Sequence, residues 1–362
     1  MARPGSSPWP RRRWADRATH RQSPRPSNAR PLHVHCTSAH LTLPAPSPTV
    51  PTTTTTFLYK SDPVRGRQWA GVFRERAPEI DFRIWPDIGD PAQVRFLAAW
   101  EPPQDLATRF PQLQVLFSSG AGVDQFDFAA LPPALPVVRM VEPGIVQGMV
   151  EYVTHAVLGL HRDMPQYRRQ QQQGEWRALP VRPASSRRVG VLGLGSLGQA
   201  VLEQLRGLGF DCAGWSRSRH DIAGVQCHAG PQELPAFLAR TDVLVCLLPL
   251  TDATRGFLNK DLFAQLPEGA GLVHVGRGPH LVEADLLAAL AVGQIGDAVL
   301  DVADPEPLPP SHAFWRHPRI QLTPHIASMT QPLSAAGVVI DNLRRFHAGE
   351  PMVGLVDRSR GY

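Results

Sequence analysis

The chain has 362 residues, 43% hydrophobic and 7% aromatic, too many for one ordinary core and suited to two domains packed mainly by Leu, Val and Ala. Its net charge of +5 is uneven: residues 1–56 hold eight arginines against the single acid Asp16, a net of +7, which leaves −2 for the rest and argues against a nucleic-acid surface on the folded body. No window approaches the roughly 18 uninterrupted apolar residues of a membrane span, so a soluble protein with no membrane partner is expected.

Residues 1–56 are rich in Pro, Ser, Thr and Arg and show no hydrophobic periodicity, which predicts a disordered tail. An Arg- and Ser-rich, acid-poor start also fits an organelle transit peptide, but an extended start without function is the preferred reading. Order begins at Phe57. Residues 82–85, 94–100 and 113–117 read as strands, the last followed by the glycine-rich turn Ser119-Gly120-Ala121-Gly122-Val123-Asp124, and together they predict a small α/β domain. Residues 144–169 read as one long helix, closed by the Gln170 to Gln173 run and Gly174, and 180–186 as a linker. From Arg188 the chain repeats strand–helix units, with strands at 189–192, 211–215, 243–248, 271–275 and 298–302, which predicts a parallel sheet. Residues 329–347 read as a helix. Cys36, Cys212, Cys227 and Cys246 form no C-x-x-C pair. They predict neither a metal site nor a disulfide framework and suit a reducing, cytoplasmic setting.

Gly193-Leu194-Gly195-Ser196-Leu197-Gly198 matches G-x-G-x-x-G between a predicted strand and a predicted helix at 196–205, the context that lifts the motif above chance. Gly193 permits the tight turn, Gly195 lets the backbone approach a pyrophosphate, and Gly198 lets helix and strand pack closely. The N–H groups at the helix start, around Ser196 and Leu197, then face the phosphates. About 20 residues on, an acid would select NAD. The strand instead ends Trp215-Ser216-Arg217-Ser218-Arg219. Arg217 suits a 2′-phosphate, with Ser216 and Ser218 as hydrogen-bond donors, so NADPH is the predicted cofactor.

Three more segments follow predicted strands, where ligands of open α/β sheets bind: Val275-Gly276-Arg277-Gly278, Leu300-Asp301-Val302-Ala303-Asp304-Pro305-Glu306, and Leu322-Thr323-Pro324-His325. Reducing a ketone needs the carbonyl polarised, the substrate held and a proton delivered. Arg277 suits the first two. His325 suits the third, with Glu306 to orient its imidazole.

With these motifs, Cys246-Leu247-Leu248-Pro249-Leu250-Thr251 and the terminal Val356-Asp357-Arg358-Ser359-Arg360-Gly361-Tyr362, the chain resembles the D-isomer-specific 2-hydroxyacid dehydrogenases over residues 57–362, in particular their glyoxylate/hydroxypyruvate reductase A branch. The resemblance implies two Rossmann-like α/β domains with parallel sheets and an active-site cleft between them. One is a flavodoxin-like substrate domain at 57–143, completed by 326–362. The other is a dinucleotide-binding domain at 188–325, joined to the first by 144–187. It implies that Arg277 binds and polarises a small 2-oxo acid, that Glu306 and His325 form the acid/base pair, and that N–H groups around Ala121 and Gly122 hold the substrate carboxylate. Asp301 would meet the nicotinamide carboxamide, Pro249 and Thr251 would flank the cofactor, and Trp100 would wall the pocket. A homodimer, with the 144–169 helix near its interface, is implied as well. Two departures stand out. The family's Asn-x-Ala-Arg-Gly is His274-Val275-Gly276-Arg277-Gly278 here, where Gly276 is expected to loosen the turn, and Ala303 replaces an aromatic, which is expected to enlarge the pocket. The expected activity is NADPH-dependent reduction of glyoxylate or hydroxypyruvate. The alternatives are another 2-oxo acid, or a dinucleotide-sensing, co-repressor-like binding protein.

Overall fold

The computed structural model describes residues 55–358, all within one unit spanning Thr53–Tyr362. The expectation for residues 1–56 and the end of the terminal motif therefore lie almost wholly outside the described residues. The exceptions at the start, Thr55 and Thr56, belong to the first strand, where they pair with Ile80 and Asp81. The predicted tail overran the strand because two β-branched threonines at the end of a Thr run carry no apolar signal.

The first part of the chain runs β1 (Thr55–Lys60), α1 (Pro63–Arg76), β2 (Ile80–Ile84), β3 (Val94–Ala99), α2 (Leu106–Arg109), β4 (Val115–Ser118) and β5 (Val137–Val138). These strands form a parallel five-stranded sheet in the order β2-β1-β3-β4-β5, the flavodoxin-like order expected. The central strands are buried on both faces, as parallel sheets require. Alternation along β1 sends Phe57 and Tyr59 into a core with Trp69, Phe73 and Phe117, and Leu58 into a second core with Leu97, Phe110 and Leu135. The last helix of the chain, here α9 (Pro332–His347), completes the first of these cores with Ala335, Ala336, Val339, Ile340 and Leu343. It begins at Pro332 rather than at the predicted 329, since proline is favoured at a helix's first turn.

The long helix predicted over 144–169 is two helices, α3 (Pro143–His161) and α4 (Met164–Gln173). Asp163 between them takes a left-handed φ of 55°, and Pro165 lies in the first turn of α4. A proline at that point lacks the N–H that would continue α3 and its ring blocks the preceding turn, so the chain restarts in a new direction. Gly174, left-handed at φ 67°, closes α4 as the sequence suggested.

The second sheet follows: β6 (Arg188–Leu192), α5 (Ser196–Gly207), β7 (Asp211–Ser216), β8 (Gln226–Ala229), α6 (Gly230–Ala239), β9 (Val243–Cys246), α7 (Lys260–Phe263), β10 (Ala270–His274), α8 (Glu283–Val292), β11 (Ile295–Leu300) and β12 (Ile320–Leu322). All seven strands are parallel, in the order β12-β11-β10-β9-β6-β7-β8. The order reverses about β6, which makes the end of β6 the switch point where a ligand crevice forms. Val189, Val191, Val245, Val273 and Val299 pack under α3 and α5, whereas Leu192, Leu244, Leu272 and Leu300 pack under α6 and α8. The short edge strands β8 and β12 were not among the predicted strands. Gln226–Ala229 is polar and Ile320–Leu322 spans one alternation, too little for periodicity to register.

Candidate active site

The segments expected to bind cofactor or substrate lie at carboxyl ends of strands. The Gly193 loop follows β6, Ser216 to Ser218 end and follow β7, Pro249 and Thr251 follow β9, Arg277 follows β10, Asp301 directly follows β11, His325 follows β12, and Ala121 and Gly122 follow β4.

The Gly193 loop has the geometry of a dinucleotide cradle. Gly193 has φ 101°, and a Cβ there would meet Leu247 O at 2.7 Å. A Cβ on Gly198 would lie 1.9 Å from Gly193 O, so any larger residue drives α5 off the turn. Around a Cβ built on Gly195, by contrast, nothing comes within 4 Å, which leaves the backbone there open to close approach. The N-cap of α5, Gly195, makes no side-chain capping bond, so the first N–H groups of this twelve-residue helix point outward without an intrahelical acceptor. These residues fit a pyrophosphate. At the end of β7, Ser216 is buried and its hydroxyl donates to Ser218 O at 2.5 Å, an internal turn bond, while Arg217 and Ser218 are exposed. Thr251 N donates to Thr254 Oγ1 at 2.8 Å, and Thr254 Oγ1 donates to Pro249 O at 2.7 Å, which fixes the turn after β9.

Glu306 and His325 meet: Glu306 Oε2 lies 2.8 Å from His325 Nδ1. Ala303 N donates to Glu306 Oε1 at 3.1 Å. Burial pushes the Glu306 carboxyl up, but its bond to His325, the Ala303 N–H and the nearby Arg277 charge outweigh this and hold it below the ordinary carboxylate range. Glu306 therefore stays ionised at neutral pH and fixes His325 with Nδ1 toward itself. His325 has a left-handed φ of 54°, unusual for a residue with a Cβ. Asp301 underlies this turn. Its Oδ1 accepts from Thr323 Oγ1 at 2.6 Å and Ile326 N at 2.9 Å, its Oδ2 accepts from Ala327 N at 2.8 Å, and its carbonyl accepts from His325 N at 2.8 Å. The family resemblance implied that Asp301 meets the nicotinamide carboxamide; in the structure its carboxylate holds the His325 turn. Tyr152 Oη on α3 adds a 2.5 Å bond to Thr323 Oγ1, and burial pushes its hydroxyl up to about 12. No motif marked Tyr152.

Arg277 reaches across to the loop after β4. Its Nε donates to Asp124 Oδ1 at 3.0 Å and Oδ2 at 3.1 Å, and Nη1 donates to Gly276 O at 2.8 Å. A Cβ on Gly122 would lie 2.0 Å from Arg277 Nη2, so glycine there is what lets the guanidinium lie against the Ala121–Gly122 backbone. Asp124 was quoted in the glycine-rich turn but given no role. An acid closing a glycine-rich turn after a predicted strand was the only signal for it in the sequence. Trp100 is 39% exposed and lies over the same loop, with Cζ3 2.8 Å from a Cβ built on Gly120. Gly278 is required for another reason: a Cβ there would lie 2.0 Å from Ala303 O. The turn around Gly276, expected to be loose, is instead braced. Arg277 N donates to His280 Nδ1 at 3.0 Å, and His274 Nε2 lies 2.9 Å from Arg277 O.

Comparison with known proteins agrees with this geometry. Residues 154–327 match the D-isomer specific 2-hydroxyacid dehydrogenase NAD binding domain family. A relative named glyoxylate/hydroxypyruvate reductase A, from Yersinia enterocolitica, is 41% identical over 302 residues, covering 82% of this chain and 96% of its own. One of the same name from Serratia proteamaculans is 40% identical over 301 residues, covering 82% and 96%. A D-isomer specific 2-hydroxyacid dehydrogenase from Xanthobacter autotrophicus, solved with NADPH and MES, superposes with a TM-score of 0.80 at 40% identity over 85% of this chain and 100% of that one. The NADPH-dependent glyoxylate/hydroxypyruvate reductase of Sinorhizobium meliloti, solved with NADP and sulfate, gives 0.80 at 34% identity over 85% and 100%. The chain belongs to the D-isomer-specific 2-hydroxyacid dehydrogenase family. Within it, the chain falls in the glyoxylate/hydroxypyruvate reductase A branch.

Proposed function

We propose that this chain reduces glyoxylate and hydroxypyruvate to glycolate and D-glycerate with NADPH. The reading is carried by the convergence, at one row of strand ends, of the Glu306–His325 pair with its 2.8 Å bond and the Arg277 guanidinium against Gly122. The names of the relatives, and the NADPH and NADP in the solved neighbours, support both substrate and cofactor.

In this reading Gly193, Gly195, Ser196, Leu197 and Gly198 receive the pyrophosphate, Ser216, Arg217 and Ser218 the 2′-phosphate side, and Pro249, Thr251 and Asp301 the nicotinamide end. The bound reduced dinucleotide supplies the hydride. Arg277 has Nε and one Nη1 hydrogen committed to Asp124 and Gly276, which leaves the other Nη donors for the substrate carboxylate and ketone oxygen. Ala121 and Gly122 present backbone N–H groups to the same carboxylate, and Trp100 closes the wall. As negative charge builds on the ketone oxygen, Arg277 stabilises it and the protonated His325 gives up the proton on Nε2, which completes the alcohol. Glu306, ionised and bonded to Nδ1, keeps Nε2 directed to the substrate.

The domain division at 57–143, 144–187, 188–325 and 326–362 belongs to the same reading. It is supported by the two separate sheets and by α9 packing on the first. So does a cytoplasmic homodimer. Free Cys212, Cys227 and Cys246 suit a reducing compartment. Trp176 and Val181, 102% and 77% exposed just beyond α4, are large apolar groups of the kind a second copy covers. Among the described residues no helix is long and apolar enough to cross a membrane.

The test is a panel of small 2-oxo acids assayed at 340 nm with NADPH and with NADH, on protein whose mass in solution is measured. Turnover is expected with glyoxylate and hydroxypyruvate, faster with NADPH, from a dimer. No turnover with any 2-oxo acid would leave only a dinucleotide-binding role. For the cofactor, Arg217→Asp is expected to lower the NADPH-to-NADH preference at least about tenfold, since it trades a phosphate partner for a 2′-hydroxyl partner. An unchanged preference ratio in kcat/KM would remove Arg217 from the site.

A further inference from the structure

Arg277 is unusual in how its main chain is held. Its carbonyl accepts from two donors, His274 Nε2 at 2.9 Å and His280 N at 3.0 Å. Its N–H donates to His280 Nδ1 at 3.0 Å. The same Nδ1 lies 2.9 Å from the Arg277 carbonyl, so the direction of that contact must be decided. The carbonyl already has both lone pairs engaged by other donors, and the Arg277 N–H has no other acceptor among the described residues. Nδ1 therefore carries the lone pair and the His280 proton is on Nε2. From there it donates to Pro249 O at 3.2 Å. His274 and His280 are both 0% exposed, with ring planes at 77° and centroids 5.6 Å apart.

We propose that His274 and His280 are positioning residues for the reduction: together they grip both main-chain polar groups of Arg277, and His280 ties that grip to the Pro249 turn on the cofactor side, so that the guanidinium is delivered at a fixed distance from the nicotinamide end. The proposal rests on the reading of Arg277 as the substrate-binding group.

Three observations favour a clamp over ordinary core packing. First, the polar groups of a short turn at a strand end are usually met by water or neighbouring backbone, whereas here two imidazoles meet both groups of one residue. Second, Gly276 is fitted to the clamp: a Cβ there would come within 3.0 Å of His280 Nδ1 and 3.1 Å of its Cε1. Third, burial keeps both rings neutral, pushing His274 down to about 3 and His280 below its ordinary value, so the donor and acceptor pattern persists across the working pH range. Cys246, paired with His274 on the adjacent strand, offers a ligand atom within 4.8 Å of those of the two histidines. The trio is nonetheless a poor metal site. Both His280 nitrogens and His274 Nε2 are bonded to backbone, and burial pushes the Cys246 thiol up to about 12, so it holds its proton.

The test compares His280→Leu and His274→Leu with amide variants that keep one bond each. His280→Asn retains an acceptor near Nδ1, and His274→Gln retains a donor near Nε2. An error of about 1 Å in placing a substrate-orienting group costs on the order of 10²-fold. Each leucine variant is therefore expected to lose about 10²-fold in kcat/KM for glyoxylate, to weaken binding of the unreactive dicarboxylate oxalate in parallel, and to keep NADPH affinity within about threefold. The amide variants are expected to recover at least tenfold of that loss. If a leucine variant does not fold, His280→Gln, which carries the amide group at the wrong reach, replaces it at 280, and His274→Met, which has similar bulk and no donor, replaces it at 274. Each is expected to fall below its well-placed counterpart. Full kcat/KM in a folded leucine variant overturns the proposal, as does equal loss in a well-placed amide and its counterpart. Arg277→Lys, run alongside, separates the two readings. If it too keeps full activity, the assignment of Arg277 fails; if it is crippled while the histidine variants are not, only the clamp fails.

Discussion

Replacing His325 by alanine is expected to lower kcat for glyoxylate by about 10²–10⁴, the range for losing a positioned general acid, while NADPH binding measured by fluorescence titration changes little. The split follows from position. His325 lies after β12, where its hydrogen bonds among the described residues go to Glu306, Asp301 and Thr323 and none to the Gly193 loop, so its loss is expected to remove a proton donor and leave the dinucleotide cradle intact. Glu306 should modulate the effect. Its carboxyl is held below the ordinary range, so its bond to His325 persists above the unfolded carboxylate value, 4.5, and is lost only as pH falls through the lower folded value. The acid limb of a kcat/KM profile in the neutral range therefore does not come from Glu306. A His325→Ala enzyme with near-normal kcat would place the proton donor elsewhere.

Arg277→Lys is expected to cut kcat/KM for glyoxylate by about 10²–10³ through both constants, with KM rising and kcat falling. Lysine keeps the charge and can still face Asp124, but it offers a single point charge in place of the planar fork. In the structure one edge of that fork is spent on Asp124 and Gly276 while Nη2 lies against Gly122. An ammonium can serve the Asp124 side or the substrate side, not both. An effect confined to KM would show that Arg277 binds the carboxylate without polarising the ketone, and an effect on neither would remove it from the site.

The fold was legible because each half repeats strand and helix with strong apolar runs, and because Gly193, Gly195 and Gly198 fall between a strand and a helix. Their demands proved local: one close backbone contact for Gly193, one for Gly198, and open space at Gly195. The pairing of Glu306 with His325 was legible because each follows a strand in a sheet whose strands all run the same way. What escaped depends on contacts distant in sequence. Asp124 meets Arg277 across 153 positions, and Tyr152 meets Thr323 across 171; neither has a spacing that periodicity can report. The break between α3 and α4 was readable, since the apolar stripe ends at Leu160 and Pro165 follows in plain view. The strands β8 and β12 are too short or too polar to register by alternation.

Asp301 joins parts of the chain that are otherwise strangers. Its side chain binds the hydroxyl of Thr323 and the amides of Ile326 and Ala327, and Thr323 in turn meets Tyr152 on α3. The His325 segment has no regular structure, yet it is riveted to the sheet and to a long helix, and behaves as an extension of the framework. Trp100 is partly exposed, and the side chain of Ala303 is only a methyl. Labour is thus divided. On the proposed reading the proton-handling pair stands on this riveted segment, while the side chains of Trp100 and Ala303 take no part in the Asp301 bonds and are where acid preference would be set.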